Sequence, residues 1–445
     1  MVHTRKAKIA YSTASIASTL TYQSFGAFIA YFYERVIGLS VDLFAMSWAI
    51  YGVWNAINDP LAGFISDRTR TRWGRRIPYV LFGSIPLAIT FALIWAPPNL
   101  TDQFLIFIYA ALMMCLFDTC YTFVLLAWTA LFPEMYPSKE ERGEVSVYRQ
   151  IFSIVGLILA FLLPPIIGAA YGWWLMGLIL GSISAASMFV SLAGSREDVE
   201  QLKKQKELPF REAFIRTLKN RPFLHFVFGN LTIQYTFGLA TVVLPLYSEI
   251  VLHLDQAMVG LPLLIIILIA MVSVPAWNLF FKRTDARRTW IIASLVLGLS
   301  LLPFFFLNTF AEVVIAAIPA GIGLGGVMFI IDPLIGETID YDEYITGQRR
   351  EGAHFGMNAL IMRFSVVLSA LTLGWVQSTT GFISGTPIQP ESAVFGLRLL
   401  VAVFPLLGVI GTIISIALYP LKKDEVERIR AWREARLSQK SQLST

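Results

Sequence analysis

The chain has 445 residues, 56% of them hydrophobic and only 15% charged, with a formal net charge of +5 and a mean hydropathy of +0.65. Ordinary soluble domains carry roughly 25% charged residues, so the composition excludes a water-soluble globular protein. The basic balance gives no evidence for nucleic-acid binding, because the charges gather in short loops between long apolar runs.

Runs of about 20 apolar residues are long enough to cross a bilayer as helices. Twelve are predicted: 10–33, 41–65, 76–97, 103–132, 146–168, 172–194, 222–250, 256–281, 288–308, 310–336, 353–381 and 393–420. With a cytoplasmic N-terminus (Arg5, Lys6, Lys8), every even-to-odd connection is cytoplasmic as well. Those connections hold Arg68 to Arg76, Lys139 and Arg142, Arg196 to Arg221, Lys282 to Arg288, and Arg349 with Arg350, and the tail adds Lys422 to Lys440. The opposite connections contain one basic residue, Arg35. This asymmetry predicts a multi-pass protein of the cell membrane with both termini inside. The first run is too long for a signal h-region and is expected to be retained. Cys115 and Cys120 in the fourth run fall on different helix faces, which argues against a disulfide or a metal site.

The first run is unusually polar, with Ser12, Thr13, Ser15, Ser18, Thr19, Thr21, Tyr22, Gln23 and Ser24. Such residues either line a wet cavity or hydrogen-bond between helices. The second run carries Asp59 inside an apolar helix. A charge within the bilayer is expensive and is usually kept for work such as binding an ion or carrying a proton. Asn55 lies one turn earlier on the same face. A carboxylate and an amide carbonyl offer hard oxygen ligands suited to a small cation such as Na+. Pro60 frees a backbone carbonyl one turn back, and Thr122 in the fourth run offers a hydroxyl. The competing reading is that Asp59 only pairs with a buried arginine.

Further along, the charges within runs are Asp118, Arg149, Arg363 and Arg398, with Asp332 near a cytoplasmic end. Mutual pairing is the plain structural reading for Asp118, Arg398 and Asp332, and Arg149 lies near enough to its helix end to snorkel. Trp54, Tyr121 and Trp128 can stack on a sugar ring; Asn230, Gln234 and Tyr235 are polar candidates in the seventh run. Gly321, Gly323, Gly325 and Gly326 resemble a phosphate-binding loop on paper. No strand precedes them, and small residues in a membrane helix normally allow close packing.

The polar segment 195–221 divides six runs from six. The expected organisation is an N-terminal bundle (1–194), a cytoplasmic central loop (195–221), a C-terminal bundle (222–420) and a cytoplasmic tail (421–445). Phe210 to Leu218 in the loop reads as a short amphipathic surface helix. Asp67, Arg76, Glu134, Arg142, Asp340 and Arg350 can form ion pairs that hold the inner side shut; the alternative is a solvated surface that obeys the topology rule. The histidines (His3, His225, His253, His354) are scattered and show no metal spacing. Neither an enzyme nor a resident cofactor is expected.

Three motifs carry a family resemblance. The first is Asn55-Ala-Ile-Asn-Asp59-Pro60-Leu-Ala-Gly63 continuing to Asp67-Arg68-Thr69 and Gly74-Arg75-Arg76. The second runs from Trp128 to Phe132-Pro133-Glu134, then Glu141-Arg142 and Arg149. The third is Glu337-Thr-Ile-Asp340-Tyr341, then Thr346-Gly347 and Arg349-Arg350-Glu351-Gly352. Together they resemble the glycoside–pentoside–hexuronide:cation symporters of the major facilitator superfamily. The resemblance implies an all-α integral membrane fold of twelve transmembrane helices in two pseudo-symmetric six-helix bundles. It also implies sodium- or proton-coupled uptake of a sugar or related solute by alternating access, with the solute, the coupling cation and membrane lipid as partners. In the family an acid pair on the second helix binds the cation; Asp59 matches its second member, and Asn55 stands at the first. The family's sugar-holding acids have no counterpart, since the first run lacks an acid and the fourth-run position falls near Val124 or Leu125, more than a turn beyond Asp118. Trp128 and Arg149 match, and Arg363 fills the eleventh-helix lysine position with a planar fork instead of a point charge. The candidate cation set is therefore Asp59, Asn55 and Thr122. The candidate solute set is Tyr22, Gln23, Trp128, Arg149, Arg363 and Asp118. A lysolipid-like or other amphipathic solute, or uncoupled uniport on the same fold, is the alternative.

Overall fold

The computed structural model describes residues 4–99, 101–136, 139–196, 217, 219–347 and 350–442. Helix α1 comprises Arg5–Ser12 and Ala14–Ala30 and ends in wide π turns over Tyr31–Ile37. It is followed by α2 (Val41–Arg68), α3 (Ile77–Ile94), α4 (Gln103–Met135), α5 (Lys139–Tyr171), α6 (Trp173–Gly194) and α7 (Arg221–Ile250). Next come α8 (Leu261–Arg283), α9 (Ala286–Leu301), α10 (Phe310–Thr346) and α11 (Glu351–Thr380). Helix α12 runs through Glu391–Arg398, Leu399–Val403 and Phe404–Ala417, and α13 spans Lys423–Gln442. Among the described residues, the 10 helices α3 to α12 are long and apolar enough to cross a membrane. The first two predicted runs are helical as well, over α1 and α2.

Several helices outlast their apolar stretches. Helix α5 begins at Lys139 rather than 146, and α10 continues to Thr346 rather than 336. Backbone hydrogen bonding carries a helix on past its apolar stretch until a capping residue stops it. In α10 the start is a capping box of Thr309 and Glu312, and the stop is Gly347, whose φ of 69° suits a left-handed C-cap and whose N–H donates to the Glu343 carbonyl at 2.8 Å. The tail, expected as a cytoplasmic extension, is largely the helix α13, held to α10 by Arg433 Nη1 donating to both Asp340 oxygens (2.9 and 3.0 Å) and by Trp432 edge-on to Tyr344. Most of 195–221, including all of the expected surface helix Phe210 to Leu218 but Thr217, lies outside the described residues.

The chain forms two compact units: one of Met1–Lys206, Thr241–Leu264 and Ser369–Leu397, the other of Glu207–Ala240, Ile265–Leu368 and Arg398–Thr445. In the first, α1 is tied down at its start by Lys8, whose ammonium meets Glu144 at 2.8 Å and Glu141 at 3.4 Å. The Glu144 hydrogen bond, with Glu141 beside it, holds the Lys8 pKa above its ordinary value against the opposing effect of burial, so Lys8 stays charged at neutral pH. At the other end of α1, Arg35 pairs with both oxygens of Glu249 (2.9 and 3.0 Å). Next to it the fully buried Glu34 accepts from Gln377 Nε2 at 2.8 Å.

In the second unit the buried core includes Phe226 of α7, Trp277 of α8, Trp290 and Leu297 of α9, Val327, Ile330 and Leu334 of α10, and Val409 of α12. The glycines of α10 are close-packing residues: a Cβ at Gly321 would meet Ile269, at Gly323 Leu297, at Gly325 Ala270 and at Gly326 the Trp277 ring. Gly326→Val is therefore expected to lower stability by roughly 1–3 kcal/mol, the usual cost of overpacking. The reading is the thermal midpoint of the detergent-solubilised protein; a wild-type midpoint would contradict this packing role.

Candidate functional site

On α2, positions 55, 58 and 59 share one face, and on α4 so do 118 and 122. The two faces meet in parallel register. Asn55 Nδ2 donates to Asp118 Oδ1 at 2.5 Å, and Asn58 Nδ2 donates to Asp118 Oδ2 at 3.0 Å and to the Asp118 carbonyl at 3.1 Å. One turn further along, Thr122 Oγ1 donates to Asp59 Oδ1 at 3.2 Å. Trp54 Nε1 donates to Thr119 Oγ1 at 3.0 Å on the flank of this interface. Asn55, Asn58, Asp118 and Thr122 are buried, and Asp59 is half-buried. Among the described residues, nothing donates a hydrogen bond to the buried side-chain carbonyl oxygens of Asn55 and Asn58.

An aromatic plug covers the turn before these groups. Phe25 packs on Trp48, Tyr51 and Phe117 with ring centroids 5.1–5.4 Å apart. Tyr51 is one turn before Asn55, and Phe117 adjoins Asp118. The plug keeps water from that end and so strengthens the electrostatics of the oxygens below it.

The structure thus brings Asp59, Asn55 and Thr122 together, the expected cation set. It places Asp118 in the same cluster, although the sequence reading grouped it with the solute residues. Asn58 was not singled out from sequence. Its signal was available: it is three residues after Asn55 and adjacent to Asp59, so it shares their helix face.

Further along α4, Trp128 is buried and locked to α1 by reciprocal bonds. Its indole N–H donates to the Tyr11 carbonyl at 3.2 Å, and the Tyr11 hydroxyl donates to the Trp128 carbonyl at 2.8 Å, with the rings stacked at 5.3 Å. The Arg149 guanidinium lies 4.5 Å from the Trp128 ring centre and 4.7 Å from that of Phe132. Trp128 and Arg149 border a cavity of about 250 Å³ whose other walls are Ser15, Ser18, Ser146, Gln150 and Ser153. Hydroxyls, an amide and one cation beside aromatic faces suit a small polar ring. Arg149→Lys keeps the charge but loses the planar stacking. It is expected to raise the transport KM about tenfold, because a flexible ammonium replaces the guanidinium plane that the Trp128 and Phe132 rings hold at the cavity wall; an unchanged KM would remove Arg149 from the solute path.

Tyr22 stacks on Tyr121 at 5.3 Å, and the Tyr121 hydroxyl lies 3.2 Å from Ser18 Oγ. Gln23 is half-buried on α1. Arg363 is half-buried on α11 and belongs to the second unit, whereas the other solute candidates are in the first. The polar residues of α1 divide by task. Thr13 donates to the Ser187 carbonyl and Ser24 to that of Ala160, while Ser12 and Thr21 bond their own helix; Ser15 and Ser18 face the cavity. In the seventh run, Asn230 Nδ2 donates to Asn358 Oδ1 at 2.9 Å. Arg398 donates to the Phe305 carbonyl and to Asn308 Oδ1, a bond to the turn between α9 and α10.

The residues read as a cytoplasmic gate have the following partners. The buried Arg76 donates from Nη1 to Ser66 Oγ at 2.8 Å, and Arg142 donates from Nε to the Tyr136 carbonyl at 2.6 Å. Asp340 holds Arg433. Arg350 makes a two-pronged pair with Asp342 at 3.0 and 2.6 Å. The side chains of Asp67 and Glu134 lie outside the described residues. Asp342 was missed from sequence because its neighbour Asp340 carries the recognised motif.

Comparison with known proteins follows the same lines. A family model described as MFS/sugar transport protein matches residues 10–423. The isoprimeverose transporter of Lactiplantibacillus pentosus is 24% identical over 436 residues, covering 94% of this chain and 89% of that one. The sodium-dependent lysophosphatidylcholine symporter 1 of Mus musculus is 24% identical over 84% of this chain and 77% of that one. Among solved structures, the nucleoside transporter NupG matches with a TM-score of 0.69 at 14% identity, covering 94% of this chain and 100% of that one, a likeness of fold.

Proposed function

From the premise that the chain belongs to the MFS/sugar transport protein family, we propose that it is a symporter that couples Na+ entry to uptake of a sugar or glycoside by alternating access. It is a multi-pass membrane transporter of the major facilitator fold and not an enzyme. The observation that carries the reading is the oxygen cluster on α2 and α4. A carboxylate held inside an apolar helix is costly unless it works on a cation. Several amide and hydroxyl oxygens beside it make a ligand set for a hard metal cation, more than the single acceptor that a protonated carboxyl needs, which favours Na+ over H+. The ion is held by Asp59, Asn55, Asn58 and Thr122. Within the first unit the solute is met by Trp128, Arg149, Tyr22 and Gln23. Both termini lie in the cytoplasm beneath the cell membrane.

A lysolipid-like solute is the second reading. Val124 and Leu125, buried on α4 where the family resemblance places a sugar-binding acid, make that wall apolar, and the mouse relative is named for such a lipid. The test uses the full chain in proteoliposomes with an imposed Na+ or H+ gradient and a panel of labelled glycosides, pentosides and lysophospholipids. The proposal predicts sugar accumulation above equilibrium that collapses when the Na+ gradient is dissipated. Accumulation driven by a proton gradient alone would overturn the Na+ assignment. Na+-driven uptake of the lysolipid with no sugar competing would decide for the second reading.

A further inference from the structure

We propose that Asp118 is the positioning residue of the cation site and supplies the second negative charge that Asn55 does not; this rests on the cation reading above. Helix α2 brings one carboxylate to the site, Asp59, with the neutral Asn55 one turn before it. Helix α4 brings another carboxylate to that same level. The amide nitrogens of both Asn55 and Asn58 donate to it, one to each carboxylate oxygen, at 2.5 and 3.0 Å.

An ionised carboxylate only accepts hydrogen bonds, so two amides facing it must both present N–H. That choice fixes where their other ends go. The Asn55 and Asn58 carbonyl oxygens are consequently turned away from Asp118, and both are buried and accept no hydrogen bond among the described residues. Both residues are essentially inaccessible, at 1% and 0% exposure. A buried acceptor without a donor costs free energy, and here two of them lie on the face that carries Asp59, with Thr122 opposite. Such a surface is completed by a cation. Asp118 thus acts through the amides: its charge orients them, and their oxygens meet the ion. An uncharged side chain at 118 offers its own donor, releases either amide to flip, and places N–H groups where the ion needs oxygen. The charge also matters at longer range, because Asp118 and Thr122 are one turn apart on α4 and Asn55 and Asp59 one turn apart on α2, a rise of about 6 Å.

The test is titration of the purified full-length protein with Na+ alone, read as Na+-dependent thermal stabilisation, in wild type, D118N, D59N and the swap N55D/D118N. D118N is expected to raise the Na+ Kd about tenfold or more. The swap, which returns a carboxylate to α2 and an amide to α4, is expected to restore the Kd to within about threefold. A merely structural role for Asp118 would lower the midpoint without Na+ and leave the Kd alone. D118N with a wild-type Na+ Kd, beside a D59N protein that no longer binds Na+, overturns the role of Asp118 and leaves the cation reading intact. Wild-type Na+ binding by D59N overturns the cation reading itself. Should D118N fail to fold, the swap decides: Na+ binding within threefold of wild type supports the proposal, and loss of Na+ binding in a folded swap variant overturns it.

Discussion

Asp59→Ala is expected to abolish accumulation of solute against its gradient while leaving slow equilibration across the membrane. Asp59 is the acid of α2, inside an apolar helix, half-buried and bonded by Thr122 at 3.2 Å. On the proposed Na+ site, its removal would take away the charged ligand and leave the Asn55 and Asn58 oxygens to hold the ion with the Thr122 hydroxyl. Breaking a buried charge interaction costs about 3–5 kcal/mol, which corresponds to at least 100-fold weaker ion binding at the lower bound. At physiological Na+ the site would then be essentially empty and the solute would move without a driving ion. The measurement is the steady-state ratio of internal to external solute in Na+-loaded proteoliposomes, with Asp59→Asn as the milder companion. A ratio above unity that survives Asp59→Ala places the coupling ion elsewhere.

Much of this was legible in the sequence, and the boundary has a physical basis. The twelve apolar runs, the loop charges and the α2 cluster are local signals: run length, sign of charge and a helical period. They group Asp59, Asn55 and Thr122; in the structure Thr122 donates to Asp59, while Asn55 turns its amide to Asp118. Asp118 was harder. Nothing local tells which neighbouring helix an intramembrane acid will face, and its partner assignment depended on the register between α2 and α4, which emerges only from packing. Glu34 and Glu249 show the same limit. Each sits at the end of an apolar run and looks like a solvated boundary charge, yet Glu34 is fully buried and Glu249 is engaged by Arg35. The Gly pattern of α10 went the other way: the small residues were rightly read as packing, and Trp277, Leu297 and Ala270 are what they pack against.

The second large effect is expected at the α10–α11 turn, where Asp342→Asn should lower stability by about 3–5 kcal/mol, the cost of leaving one member of a buried pair uncompensated. Asp342 and Arg350 have side chains 5% and 10% exposed and meet through two hydrogen bonds across the turn that Gly347 closes. The Arg350 carbonyl in turn lies 3.0 Å from His354 Nδ1, and Asn220 donates to the Thr338 carbonyl at 3.1 Å, so the clamp is continuous with the packing of α7 on α10. The neighbouring pair provides the internal control. Arg433 is 36% and Asp340 15% exposed where they meet, so the pair is more open to solvent screening than Asp342–Arg350, and Asp340→Asn should lower the thermal midpoint less than Asp342→Asn. Replacing both members of the buried pair, as in D342L/R350M, should recover most of the stability, since a well-packed apolar pair avoids the desolvation cost of the charges. If the double variant is stable but transports slowly in both directions, Arg350 serves transport as well as the clamp; if it is stable and transports at the wild-type rate, the pair is structural.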